Sequence, residues 1–162
     1  MDQSGKILPA VSEILKLIKD YGMVLATGHL STHEIFVLLD EAKSIGIEHI
    51  IVTHPLSISV GPTASIDEQK RMIKEGVFIE HCFVATMPTS DRLDPKKIAQ
   101  AIRAIGPKHC IMSTDFGQIL NPPPVEGMRM FIETMLRYDI TEDEITTMIR
   151  KNPAKVLGLS ES

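Results

Sequence analysis

Four short apolar runs, each ending in polar or ionisable residues and each leading into a helical pattern, restrict what this chain can fold into. The first is Val24-Leu25-Ala26-Thr27-Gly28-His29, and the second closes on Thr53-His54-Pro55. The third closes on Glu80-His81-Cys82 and the fourth on Ser113-Thr114-Asp115. Strands alternating with helices imply a parallel sheet joined by right-handed crossovers. The runs are apolar on successive residues, which predicts a sheet covered on both faces.

Local signals place the boundaries. Ile7 to Tyr21 has a helical apolar period that Gly22 stops, and the first strand is expected over Met23 to His29. Ser31-x-x-Glu34, Ser65-x-x-Glu68 and Thr141-x-x-Glu144 read as capping boxes, each opening a helix. Gly46 is the expected left-handed cap after the helix Glu34 to Ser44. Strands are expected over His49 to His54, Val77 to Phe83 and His109 to Thr114, where Pro55 ends the second. Leu56 to Ala64 and Met87 to Asp94 read as loops. A helix starts at Pro95 and ends at Gly106, another spans Val125 to Arg137, and a last one runs through Arg150. Asn152-Pro153-Ala154 then opens a short final turn.

The 162 residues, 43% hydrophobic and 23% charged, describe one globular domain over 1–162. A complete (β/α)8 barrel takes about 250 residues, so the chain is expected to supply part of one. The net charge of −4 and the lack of a basic stripe argue against nucleic acid as a partner. No apolar run approaches the roughly 18 residues that span a bilayer, so no membrane partner is expected. The amino terminus lacks signal-peptide character, and two strand-borne cysteines suit a reducing compartment, so a cytoplasmic location is expected.

The chemistry gathers at the strand ends. His29, His54 and Asp115 each close a different strand, and the carboxyl ends of parallel strands are where such folds build sites. Two imidazoles and a carboxylate are the ligand types of a hydrolytic zinc or similar divalent centre. Glu80 and His81 are neighbours in a strand and face opposite ways; Glu80 is the one expected toward the crevice. His33, in the first turn of a helix, could line the mouth, although a solvated position is the simpler reading. His49 and His109 open their strands at the far end and receive no role. Cys82 and Cys110 lack a C-x-x-C spacing, and no Gly-rich phosphate loop is present.

Gly28-His29, Val52-Thr53-His54-Pro55, Ser113-Thr114-Asp115 and the tail from Thr141 through Asn152-Pro153-Ala154-Lys155-Val156-Leu157-Gly158-Leu159 resemble the second half of an amidohydrolase-superfamily barrel. The resemblance covers the chain from Met23 onward. It implies a partial, half TIM-type barrel of four strand–helix units plus C-terminal helices, equivalent to strands five to eight. It also implies a metal-dependent hydrolase of an amide, ester, lactone or phosphoester, in which His29 and His54 bind or adjoin the metal, zinc or manganese. Asp115 would bind metal and accept the proton of the attacking water, with Glu80 and His33 near a small-molecule substrate. The chain departs from that pattern in having no His-x-His pair and no strand before Met23 to carry one. A half barrel leaves two strand edges and an inner face bare, so a homo-oligomer is expected. The alternatives are a fragment of a longer enzyme, or a non-catalytic α/β binding or assembly module. A flavodoxin-like fold ranks last, because it leaves the histidines and C-terminal helices unexplained.

Overall fold

The computed structural model describes Met1 and residues 5–159. The chain enters through α1 (Pro9–Asp20) and then alternates β1 (Leu25–Ala26), α2 (Thr32–Ser44), β2 (Ile50–Thr53), α3 (Ile66–Lys74), β3 (Phe78–Cys82), α4 (Pro95–Ile105) and β4 (Cys110–Ser113). Three elements follow: α5 (Pro124–Arg137), α6 (Glu142–Thr146) and α7 (Asn152–Val156). All three expected capping boxes form. In each, the Ser or Thr side chain accepts the N3 amide and the Glu carboxylate accepts the cap amide. Gly46 takes the left-handed conformation, with φ +80°.

The four strands are parallel in the order β1-β2-β3-β4. Leu25 pairs with Ile50, Ile51 with Phe78, Thr53 with Glu80, and Cys82 with Ser113. Three successive right-handed steps in one direction carry α2, α3 and α4 to the same face of the sheet. This is the arrangement of half a barrel. β1 is shorter than its apolar run because it is bonded on one side only and Gly28 turns the chain away.

The expectation of a sheet covered on both faces is corrected here. Leu25, Ile50, Val52, Ile79, His81, Cys110 and Met112 point toward the helices and are all 6% exposed or less. The apolar residues of this face pack with Leu39 of α2, Met72 of α3, Ile98 and Ile102 of α4 and Phe131 of α5, and His81 is buried among them. On the opposite face Ala26 is exposed and Ile51, Thr53, Phe78, Glu80 and Ser113 are half-buried, with only Cys82 and Ile111 buried. The ammonium of Lys155 in α7 reaches over the Phe78 ring at 6.0 Å. Among the described residues, no strand adds to the outer edge of β1 or β4. A continuous apolar run marks a central parallel strand, but crossover direction decides whether one face or two are covered.

Two details at the carboxyl-terminal end position the site. The chain from α6 to α7 is continuous through a widened π turn over Thr147–Lys151 rather than stopping and restarting. Pro153 explains it: a proline brings no amide hydrogen and crowds the carbonyl four residues back. The buried Asn152 amide donates to Pro107 O at 2.8 Å and Cys110 O at 2.6 Å, pinning this helix to the start of β4. In α5, a Cβ on Gly127 would lie 2.4 Å from the Phe116 ring, so only glycine lets the residue after Asp115 lie against the helix. No helix among the described residues is long and apolar enough to cross a membrane.

Candidate active site at the carboxyl ends of the strands

Three of the four strands, β1, β2 and β4, end in a left-handed backbone; β3, which carries Glu80, does not. Gly28 has φ +61°, and only glycine takes that value without strain; it turns the chain so that His29 leaves the sheet at its mouth. His54 and Asp115 take φ +30° and +53° themselves. Non-glycine residues in that region cost energy and cluster at functional sites.

The ends of β1 and β2 are stitched together. Thr53 Oγ1 donates to Gly28 O at 3.2 Å, and the Thr53 amide donates to Thr27 Oγ1 at 3.3 Å. The His29 and His54 rings consequently lie 4.9 Å apart between centroids, tilted by 52°. Both line a cavity of about 20 Å³, large enough for a single water, together with Pro55 and Gly61.

Glu80 projects from β3 onto the open face between Thr53 and Ile111. Burial raises its carboxyl above the usual range, opposed by a hydrogen bond from Ser113 and the nearby His54, and reinforced by the Asp115 charge. Glu80, His54 and Asp115 are therefore electrostatic neighbours. His81 faces the helices instead. It is 1% exposed, neither ring nitrogen has a hydrogen-bond partner among the described residues, and burial pushes its pKa down to about 4. Asp115 is exposed at the end of β4; its carbonyl accepts from Gln118 Nε2 at 3.1 Å. His33 is exposed in the first turn of α2, away from the cavities described here. Cys82 and Cys110 are free, buried thiols.

No local signal marks Asp91, which lies in a segment read simply as a loop. Its carboxylate accepts from Ser57 Oγ at 2.5 Å, the Ile58 amide at 3.0 Å and the Ser59 amide at 2.9 Å. Burial pushes this carboxyl up, but the four donor contacts from Ser57, Ile58 and Ser59 outweigh it and hold it below the usual range. Asp91 thereby fixes the β2 loop as one wall of a cleft of about 360 Å³ that Asp115 also lines.

Among the described residues, no three His, Cys, Asp or Glu side chains converge closely enough to hold a metal ion. The topology explains this. His29 and His54 end adjacent strands, whereas Asp115 ends the strand two beyond His54, and each step across a sheet is about 4.8 Å. The chain offers an imidazole pair with a carboxylate across the crevice, short of the three or four protein ligands of a closed site.

A family model described as a family of unknown function (DUF6282) matches residues 1–80. No curated protein matches the sequence. Among solved structures, the fold is similar to an amidohydrolase from Burkholderia multivorans, with a TM-score of 0.61 at 12% identity, covering 92% of this chain and 57% of that one. The same enzyme with bound zinc gives a TM-score of 0.58 at 12% identity, with the same coverage. N-acetyl-D-glucosamine-6-phosphate deacetylase from Mycobacterium smegmatis gives 0.58 at 18% identity, covering 93% of this chain and 43% of that one. The chain thus spans about half the length of the solved structures it matches, and what it shares with them is the α/β architecture of a partial TIM-type barrel.

Proposed function

We propose that the chain carries the strand-five-to-eight part of a metal-dependent hydrolase of the amidohydrolase type, acting on a small molecule. One observation carries this reading: left-handed turns at Gly28, His54 and Asp115 deliver three ionisable side chains to the same end of one sheet. Of the four left-handed non-glycine residues among the described residues, His54 and Asp115 lie at strand ends and Arg92 and Asp139 in loops, and such backbones are enriched at functional sites. Likeness to amidohydrolases supports the reading by analogy of fold.

In this reading Asp115, exposed and free of side-chain hydrogen bonds among the described residues, accepts the proton of an attacking water. General bases so placed contribute about 10²- to 10⁴-fold to rate. His54 orients the reacting group, and Glu80, its carboxyl raised by burial, hydrogen-bonds substrate or water on the open face. The described residues do not by themselves fit a divalent ion, zinc or manganese, because His29 and His54 find no third ligand. A divalent ion enters the reading through the imidazole pair and the zinc-bound Burkholderia structure. The bare sheet face and two free edges support self-association, with a second copy closing the sheet; a monomer across a wide concentration range in light scattering would sink that part. The free cysteines are consistent with a cytoplasmic setting.

The test compares ester and amide turnover by the full chain, supplied with zinc or manganese, with that of Asp115→Asn. Turnover falling at least about a hundredfold with an unchanged circular dichroism spectrum supports the role. Unchanged turnover removes Asp115 from the chemistry and leaves the non-catalytic module as the reading.

A further inference from the structure

We propose that the cleft between the β2, β3 and β4 loops binds an uncharged, partly apolar small molecule and rejects anionic ones such as phosphate monoesters. This inference rests on the hydrolase reading for its reaction, but its evidence is the chemistry of the cleft walls.

The volume of about 360 Å³ falls within the range of small-molecule pockets. Its apolar wall is unusual. Ile119 and Leu120 are 97% and 76% exposed, and the half-buried Val60 and buried Val84 line the cleft with them. Exposed apolar side chains are ordinary when scattered, but these two are held outward by a hydrogen-bonded frame. Thr89 Oγ1 donates to Asn121 Oδ1 at 3.2 Å, Asn121 Nδ2 to Gln118 Oε1 at 2.6 Å, and Gln118 Nε2 to Asp115 O at 3.1 Å. Behind that frame Phe116 lies against Gly127, and its ring centroid is 6.1 Å from that of Phe83. A loop anchored on both sides and tipped with two large aliphatic groups beside Asp115 suits the apolar part of a ligand.

Charge decides against anions. Among the described residues, no lysine, arginine or histidine lines the cleft, and its one charged side chain is Asp115. Recognition of phosphate calls on Arg or Lys side chains, or on backbone amides at a helix start. Neither source is open. The amides of Ile58 and Ser59, with the Ser57 hydroxyl, already donate to the Asp91 carboxylate, so an internal anion occupies that donor set. The next helix, α5, begins after Pro123 with Pro124, and prolines have no amide hydrogen to offer.

The test is a methyl-detected NMR titration of the full chain with two probes, the neutral amide butyric para-nitroanilide and the dianion para-nitrophenyl phosphate. The expected result is saturable shifts of the Ile119 and Leu120 methyls with the anilide, and at least tenfold weaker binding of the phosphate. The double variant Ile119→Ser/Leu120→Ser, at positions too exposed to disturb folding, should weaken anilide binding about tenfold or more. Phosphate binding as tightly as the anilide, or no shift of these methyls by the anilide, overturns the proposal. Binding needs no turnover, so anilide binding without hydrolysis supports this inference while refuting the hydrolase reading. Hydrolysis with the Ile119 and Leu120 methyls unmoved does the reverse.

Discussion

The two faces of the four-stranded sheet are built from the same short strands and behave as different materials. The helix-packed face is a sealed apolar layer in which even a histidine, His81, is buried with no hydrogen-bond partner among the described residues. The open face carries Thr53, Glu80 and Ser113, half-buried and hydrogen-bonded to one another or to the strand ends. The first face holds the apolar core, and the second carries the polar and ionisable side chains. A strand that must serve both alternates residue by residue, and Glu80 next to His81 shows the alternation at its sharpest.

Truncation should break the comparison most clearly. Ile79→Ala, at a fully buried position on the packed face, should cost about 3 kcal/mol of unfolding free energy, whereas Ile51→Ala on the open face should cost about 1. Urea denaturation of both variants checks this, and equal losses would mean that the open face is packed in solution. His81 should impose a comparable pH dependence. Its folded pKa of about 4 lies below the ordinary 6.5, so the unfolded chain binds the proton more readily. Stability should therefore fall as pH drops from 6.5 toward 4, by about 3 kcal/mol in all, and His81→Leu should remove that slope in denaturation curves.

Asn152→Ala should cost about 2 kcal/mol, because it strips the Pro107 and Cys110 carbonyls of a buried donor. The loss should appear as faster hydrogen exchange at the start of β4, with the far end of the sheet little changed. The smallest effect belongs to Glu80→Gln. Burial raises the Glu80 pKa, so the folded chain keeps its proton longer and stability declines as pH rises through that titration. The glutamine variant should lack the decline, measured by thermal unfolding at a series of pH values rising from the ordinary carboxylate range; a variant with the wild-type profile would show that Glu80 ionises as freely as in water.

Much of this was legible in the sequence, for local reasons. A capping box closes over four residues, so Ser31, Ser65 and Thr141 announce their helices wherever they lie in the chain. The apolar runs mark strands and order them, and a parallel αβ alternation has few topologies. Histidine and aspartate at strand ends pointed to one end of the sheet, which is where His29, His54 and Asp115 lie. Asp91 gave no such signal, and although Asn152 stood out in the tail motif its role as a pin did not, because their partners are 32 to 45 residues away in the chain.

What the sequence alone determined is therefore the set of elements, their parallel order and the end of the sheet where ionisable groups collect, since each follows from contacts within a few residues or from the handedness of L-amino acids. Only the tertiary structure decided that one face of the sheet stays open and that His29 and His54 pair while Asp115 stands across the crevice. It also decided that Asp91 spends the amides an anion would need. Those outcomes depend on distances between segments far apart in the chain, which crossover direction and strand spacing set and no local pattern records.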